Sequence, residues 1–230
     1  MKLTPYLFSF LMVLGSLSAQ TTETREVPAF TMLEVGDKVV VVLIPGKTPK
    51  LEAEFYNATP DRLKTEWANN TLRITATGML RDQRITVKLY YQQLHSIKAI
   101  LGGEVRSDAP IEANKLELEA KTGGIISIKA AANIVQATVG QGSKIHINGK
   151  AEQLVADAAS GGKIYADQLV TQIAAPNATS GGKIWVDARK KLDARAHSGG
   201  KVFFRTMIDD RNIRESTGGV VKYDPLPPSE

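Results

Sequence analysis

The stretch SGGKIWV (180–186) recurs in nearly the same letters as SGGKIYA (160–166) and SGGKVFF (198–204). A glycine pair that cradles a phosphate is needed once. Three copies at near-fixed spacing mean that the repeat is the architecture itself. Aligned on the glycines, further copies appear: LGGEV (101–105), TGGII (122–126), QGSKI (141–145) and TGGVV (217–221). The third residue after each first glycine is Val105, Ile126, Ile145, Ile164, Ile184, Val202 and Val221, so this column holds only Ile and Val. Its spacings are 21, 19, 19, 20, 18 and 19 residues. Two places on stand Ser107, Ile128, Ile147, Ala166, Val186, Phe204 and Tyr223. Residues two apart on a strand face the same side, so each glycine pair opens a short strand with a β-branched inner face.

A second strand precedes each pair. Ala99, Ala120, Val139, Ala158, Ala178 and Ala196 form one of its columns, and Ile97, Leu118, Ala137, Ala156, Pro176 and Ala194 form the other. Pro176 interrupts this run and predicts a local bulge or an edge. A unit of about 19 residues cannot bury its own apolar face, but stacked copies can. The fold class is therefore all-β, a parallel β-helix of about seven coils. An antiparallel sandwich also has glycine turns, but it would not keep one column identical in type through seven units. The glycines mark a corner where positive φ or close backbone approach excludes a Cβ.

Outside the repeat, residues 27–94 read as strands separated by turns: VPAFTMLEV, KVVVVLIP, KLEAEFY, LKTEW, TLRITAT and RITVKLYY, with WANNTL as a hairpin connection. This part is expected to form a non-repeating N-terminal cap within a single β-helix domain (20–223), because a solenoid end exposes unpaired backbone. The first 19 residues hold Lys2, an apolar run over 7–17 and Ser18-Ala19, the pattern of a secretory signal peptide. The Pro-rich end, 224–230, reads as a tail.

Export removes Lys2 and no acidic residue, leaving a charge of 28 − 24 = +4. That suits acidic glycans or an anionic surface and is too weak for nucleic acid. There is no cysteine, hence no disulfide and no lipid-anchored N-terminal Cys.

The chain resembles the head GIN-domain family of exported bacterial proteins, described as autotransporter-adhesin head domains. The motifs are "VPAFxxLEVxxxVxVVLxxG" (27–46), "LxSIxA" (94–99) and the repeated SGG units, and the resemblance covers about residues 26–223. It implies a right-handed parallel β-helix and a cell-surface or envelope location, and it supplies no catalytic residues. LGGEV and QGSKI depart from the Ser-Gly-Gly pattern.

Catalytic chemistry has little support. There is no Cys and no GxSxG, and His95, His146 and His197 share no metal-ligand spacing. No cofactor or metal is expected. Asp167 and Asp187 would stack one rung apart on the outside, either as a Ca²⁺ or acid/base pair or as two solvated carboxylates beside Asn148 and Arg205; the solvated reading is preferred.

Two outward columns say more. Lys144, Lys163, Lys183 and Lys201 form one, and His146, Tyr165, Trp185 and Phe203 the next. Exposed rings could stack on sugars while the lysines meet carboxylates or sulfates. Alternatively, like side chains simply favour rung stacking or pack under a second protomer. Lys163, Tyr165, Lys183, Trp185, Lys201, Phe203 and His146 are the candidate ligand-binding residues. On this reading Tyr165 and Trp185 are at least half exposed. The sequence thus points to an exported, non-enzymatic adhesin that binds a glycan or cell-surface protein and not nucleic acid. A polysaccharide-active lyase or hydrolase and a structural envelope module are the alternatives, and oligomerisation is open.

Overall fold

The computed structural model describes residues 21–225. The proposed signal peptide and nearly all of the Pro-rich tail lie outside them. The described chain is a stack of β coils. Strands β1 (Thr21–Glu26), β2 (Met32–Val35), β3 (Val40–Pro45), β4 (Lys50–Tyr56), β5 (Leu63–Ala68), β6 (Thr71–Ala76), β7 (Arg84–Tyr91) and β8 (Ser96–Ala99) build the N-terminal part. Five long bent strands each carry most of one coil: β9 (Glu104–Ala120), β10 (Ile125–Val139), β11 (Lys144–Ala158), β12 (Lys163–Ala178) and β13 (Lys183–His197). The last coils use β14 (Lys201–Phe204), β15 (Asp210–Ser216) and β16 (Val220–Tyr223).

Pairing from β9 to β16 is parallel, in the register that the repeat specifies: Val105, Ile126, Ile145, Ile164, Ile184, Val202 and Val221 are successive partners. The first six are fully buried (0 % exposed). Each contributes about 1.5–3 kcal/mol relative to an exposed side chain. Val221 is only partly buried, since β16 is the last strand of the stack among the described residues.

The corner explains why two glycines are written. Ser180 (φ 48) and Gly181 (φ 75) both lie in the left-handed region, and Gly182 N–H closes the turn on the Thr179 carbonyl at 2.8 Å. Gly182 itself has no positive φ. A Cβ there would lie 2.3 Å from the Ala158 carbonyl oxygen of the preceding coil. The first glycine thus serves the turn and the second the approach of the coils. In the third copy Ser143 takes the second place, and its buried hydroxyl has no hydrogen-bond partner.

Two expectations are corrected. Pro176 is neither at an edge nor at a bulge. It pairs in register with Ala156 inside β12, and the ladder to β13 skips Ala175 and Pro176 without changing register, leaving the missing N–H uncalled for. Residues 27–94 are also more than a non-repeating cap. The segments β2–β3 and β6–β7 form two further rungs. Val87 pairs with Val41, which pairs with Val105, so the apolar column runs on through them. The chain lays β2–β3 between β6–β7 and β8–β9, out of sequence order. The corner between β2 and β3, Gly36 to Val39, has the same geometry without a glycine pair: Asp37 and Lys38 take φ of 53 and 63, and Val39 N–H donates to the Gly36 carbonyl. Antiparallel strands then close the end: β4 on β7, β1 on β4, and β5 on β6 through the expected Asn69-Asn70 hairpin.

Gly181→Ala keeps its Cβ in open space and pays only for the left-handed backbone, about 1–2 kcal/mol. Gly182→Ala drives a methyl group into a carbonyl and is expected to cost more, about 3 kcal/mol. Urea unfolding of both variants checks this; equal losses or the reverse order contradict the division of roles.

Candidate functional site

The outward side chains that follow each glycine corner lie on adjacent tracks along the stack. Lys144, Lys163, Lys183 and Lys201 are successive parallel partners, as are His146, Tyr165, Trp185 and Phe203. The candidate residues are therefore brought together as the repeat predicts. Their exposure is not as expected. Tyr165 is only 9 % exposed, and Trp185 and Phe203 are partly buried.

Stacking is the reason. The ring centroids are 4.4 Å apart for His146–Tyr165, 4.8 Å for Tyr165–Trp185 and 5.1 Å for Trp185–Phe203, with planes within 7–14° of parallel. Both faces of Tyr165 and of Trp185 are covered by neighbouring rings. Pointing outward from a strand is not the same as meeting water when the next rung lies about 4.8 Å away. The rings offer edges to a ligand, not faces.

Asp167 and Asp187 also depart from expectation. They are not partners: Asp187 pairs with Val170, because residues 167–169 bulge out of the ladder. Both are about 5 % exposed rather than solvated. Asp187 accepts from Thr206 Oγ1 at 2.6 Å and from Arg189 at 2.7 Å. The carboxylate of Asp167 lies 3.5 Å from the Arg205 guanidinium, which also donates to the Asp167 carbonyl. Each carboxylate is thus tied to its own arginine. Among the described residues no group of three or more His, Asp or Glu side chains is placed to hold a metal ion.

Beside the ring track lies a groove of about 350 Å³. Ser127, His146 and Asn148 line it from the middle coils, with Ser107 and Asp108 at one end and Tyr165, Asp167 and Gln168 at the other. The ends are built by departures from the regular register. The ladder between β9 and β10 shifts after Ser127, where residues 107–109 stand out, and the ladder between β11 and β12 shifts after His146, where Asp167 is extra. Ser107 is held by donating to the Ala109 carbonyl at 2.8 Å. Behind it the buried Tyr91 hydroxyl has its pKa raised, first by burial and then by the Glu112 carboxylate, with partial relief from its hydrogen bond to Ser107. Of the groove residues only His146 and Tyr165 were among the candidate ligand-binding residues, while Asp167 and Asn148 entered the sequence reading only as a carboxylate and its neighbour. The signal for the others was present in the spacings of 21 and 20 residues: a coil longer than 19 must push its surplus outward, and the two long coils are those that wall the groove.

Residues 29–205 match the family described as "Putative auto-transporter adhesin, head GIN domain". The chain belongs to this family. Solved structures with the same fold include a "putative adhesin" from Bacteroides fragilis NCTC 9343, at TM-score 0.79 and 16% identity, covering 90% of this chain and 98% of that one. A putative adhesin from Parabacteroides merdae ATCC 43184 aligns at TM-score 0.70 and 14% identity over 89% and 96% of the two chains. A "putative lipid binding protein" from Parabacteroides distasonis ATCC 8503 aligns at TM-score 0.66 and 16% identity over 88% and 96%. A comparison with curated proteins finds no match. At these identities the likeness to the solved structures is one of fold.

If the rings of this head GIN domain are stacked as described, Tyr165→Ala should cost about 3 kcal/mol rather than being silent. The double-mutant cycle with Trp185→Ala should show a coupling of about 0.5–1.5 kcal/mol. In a Trp67→Phe background, Trp185 is the one tryptophan of the chain, and its emission should be blue-shifted and resistant to quenching. A red emission with full quenching contradicts the ladder.

Proposed function

We propose that this head GIN domain is exported and acts as a non-enzymatic adhesin, holding a surface polysaccharide or a cell-surface protein against the face that carries the groove and the lysine and ring tracks. The observation that carries the reading is the groove. Hydroxyls, amides and carboxylates on four successive coils converge on one cleft beside the ring edges. Such a set can hydrogen-bond many hydroxyls of a sugar chain at once, and the cleft is shallow enough to take a chain rather than a buried small molecule. The adhesin description of the family and of the solved structures agrees with a binding role. The signal-like first 19 residues support export. Among the described residues no helix is long and apolar enough to cross a membrane.

Cleavage of a polysaccharide is the weaker reading. It calls for two carboxylates converging on one bond, and Asp167 and Asp187 each face an arginine instead.

Two experiments test the proposal. Protein recovered from the envelope or the medium should begin at Gln20; an intact Met1 terminus speaks against export. On a glycan array the purified protein should retain a small set of related glycans, and Asn148→Ala with Gln168→Ala should abolish that retention with the melting temperature little changed. Retention that survives both this pair and substitutions along the lysine track contradicts the assignment of this face.

A further inference from the structure

Several cations along the coils have a carboxylate at hand. Lys98 lies 3.8 Å and Lys115 2.5 Å from glutamates, Arg189 and Arg195 pair with aspartates two residues away, and Arg106 and Lys121 have glutamates alongside. The lysine track differs in setting cations without such partners in line. Lys144, Lys163, Lys183 and Lys201 stand directly opposite one another on four successive coils, and among the described residues none has an acidic partner within 4 Å. At one end the track runs into Ile125, then Glu104, which already pairs with Arg106; at the other it ends at Val220. Four like charges about 4.8 Å apart repel one another, and among the described residues no carboxylate within 4 Å relieves them.

We infer that the lysine track binds a linear acidic polysaccharide laid along the axis of the stack, with its carboxylates or sulfates meeting successive lysines. This rests on the binding reading above and names the ligand class for that face. Spacing supports it: the lysines recur about every 4.8 Å along the stack, close enough for one polyanionic chain to meet several of them at once. Access supports it too. A Cβ built on Gly142, Gly161, Gly181 or Gly199 meets nothing within 4 Å, so the corners beside the lysines form a bare ledge on which a chain can lie. On the other side the ring edges and the groove offer apolar and hydrogen-bonding contacts to the same chain. A single-stranded nucleic acid fits less well. It would stack its bases on open ring faces, and in the ladder those faces are already taken by each other.

The probes are polygalacturonate, the same polymer fully methyl-esterified, heparin as a sulfated chain, and oligo-dT. They are titrated into the purified protein at low and at physiological salt, beside Lys163→Gln/Lys183→Gln and Asn148→Ala/Gln168→Ala. The expected result is binding of polygalacturonate or heparin that weakens with salt, falls about tenfold or more in the lysine variant, and is absent for the methyl ester. In the absence of polymer and at low salt the lysine variant should melt at a higher temperature than the parent, because repulsion along the track is relieved. A lower melting temperature shows partnered lysines and overturns the inference. Failure of both acidic polymers to bind also overturns it, as does equal binding of the methyl ester. If the methyl ester binds and only the groove variant abolishes that binding, the acidic ligand is wrong while the binding face stands. Acid-polymer binding that neither variant alters overturns both. Tighter binding of oligo-dT overturns the polysaccharide assignment.

Discussion

The hydrogen-bonded distance between neighbouring coils governs this protein. Once one rung is set about 4.8 Å above the last, every residue has a counterpart directly above and below it. The repeat then decides chemistry as well as shape. Apolar residues become a continuous core column, rings become a stack, and lysines become a line of unrelieved charge. Gly182 is required for the same reason, since the carbonyl of Ala158 occupies the space its side chain would fill. The corner and the core are therefore two consequences of one distance.

Where the distance is kept but the coil length is not, the surplus residues leave the ladder. Residues 107–109 and 167–169 do so on coils that are three rungs apart, and the regular coils between them become the floor of the groove. The bulge at 167–169 also moves Asp167 out of step with Asp187 and buries it beside Arg205. A cleft and the loss of a supposed carboxylate pair thus come from one irregularity.

This bears on how much could be read from the letters. The column from Val105 to Val221 was legible because period and residue type agree at every copy. The rungs at β2–β3 and β6–β7 were not. The corner of β2–β3 is written Gly-Asp-Lys-Val, in which Asp37 and Lys38 take the left-handed turn unaided, a longer link joins β6 to β7, and insertions break the period. The site was half legible. The partners Lys163 and Lys183, or Tyr165 and Trp185, follow from alignment alone. The low exposure of Tyr165 does not, because alternation along a strand says which way a side chain points and nothing about the neighbour that covers its faces. The groove residues Ser107, Ser127 and Gln168 carry no motif, and only the uneven spacing hinted at them.

The two ends of the stack differ, and so does what can change in it. Strands β1, β4 and β5 seal one end with antiparallel pairing, while the core columns tolerate little substitution. The bulges at 107–109 and 167–169 lie away from that seal, and apart from Leu169 they supply no side chain to the apolar core. A lineage could lengthen, shorten or rewrite them and so reshape the walls of the cleft, while inheriting the same columns, corners and register. Diversity of ligand with constancy of scaffold is the evolutionary counterpart of a coil that expels its surplus residues sideways.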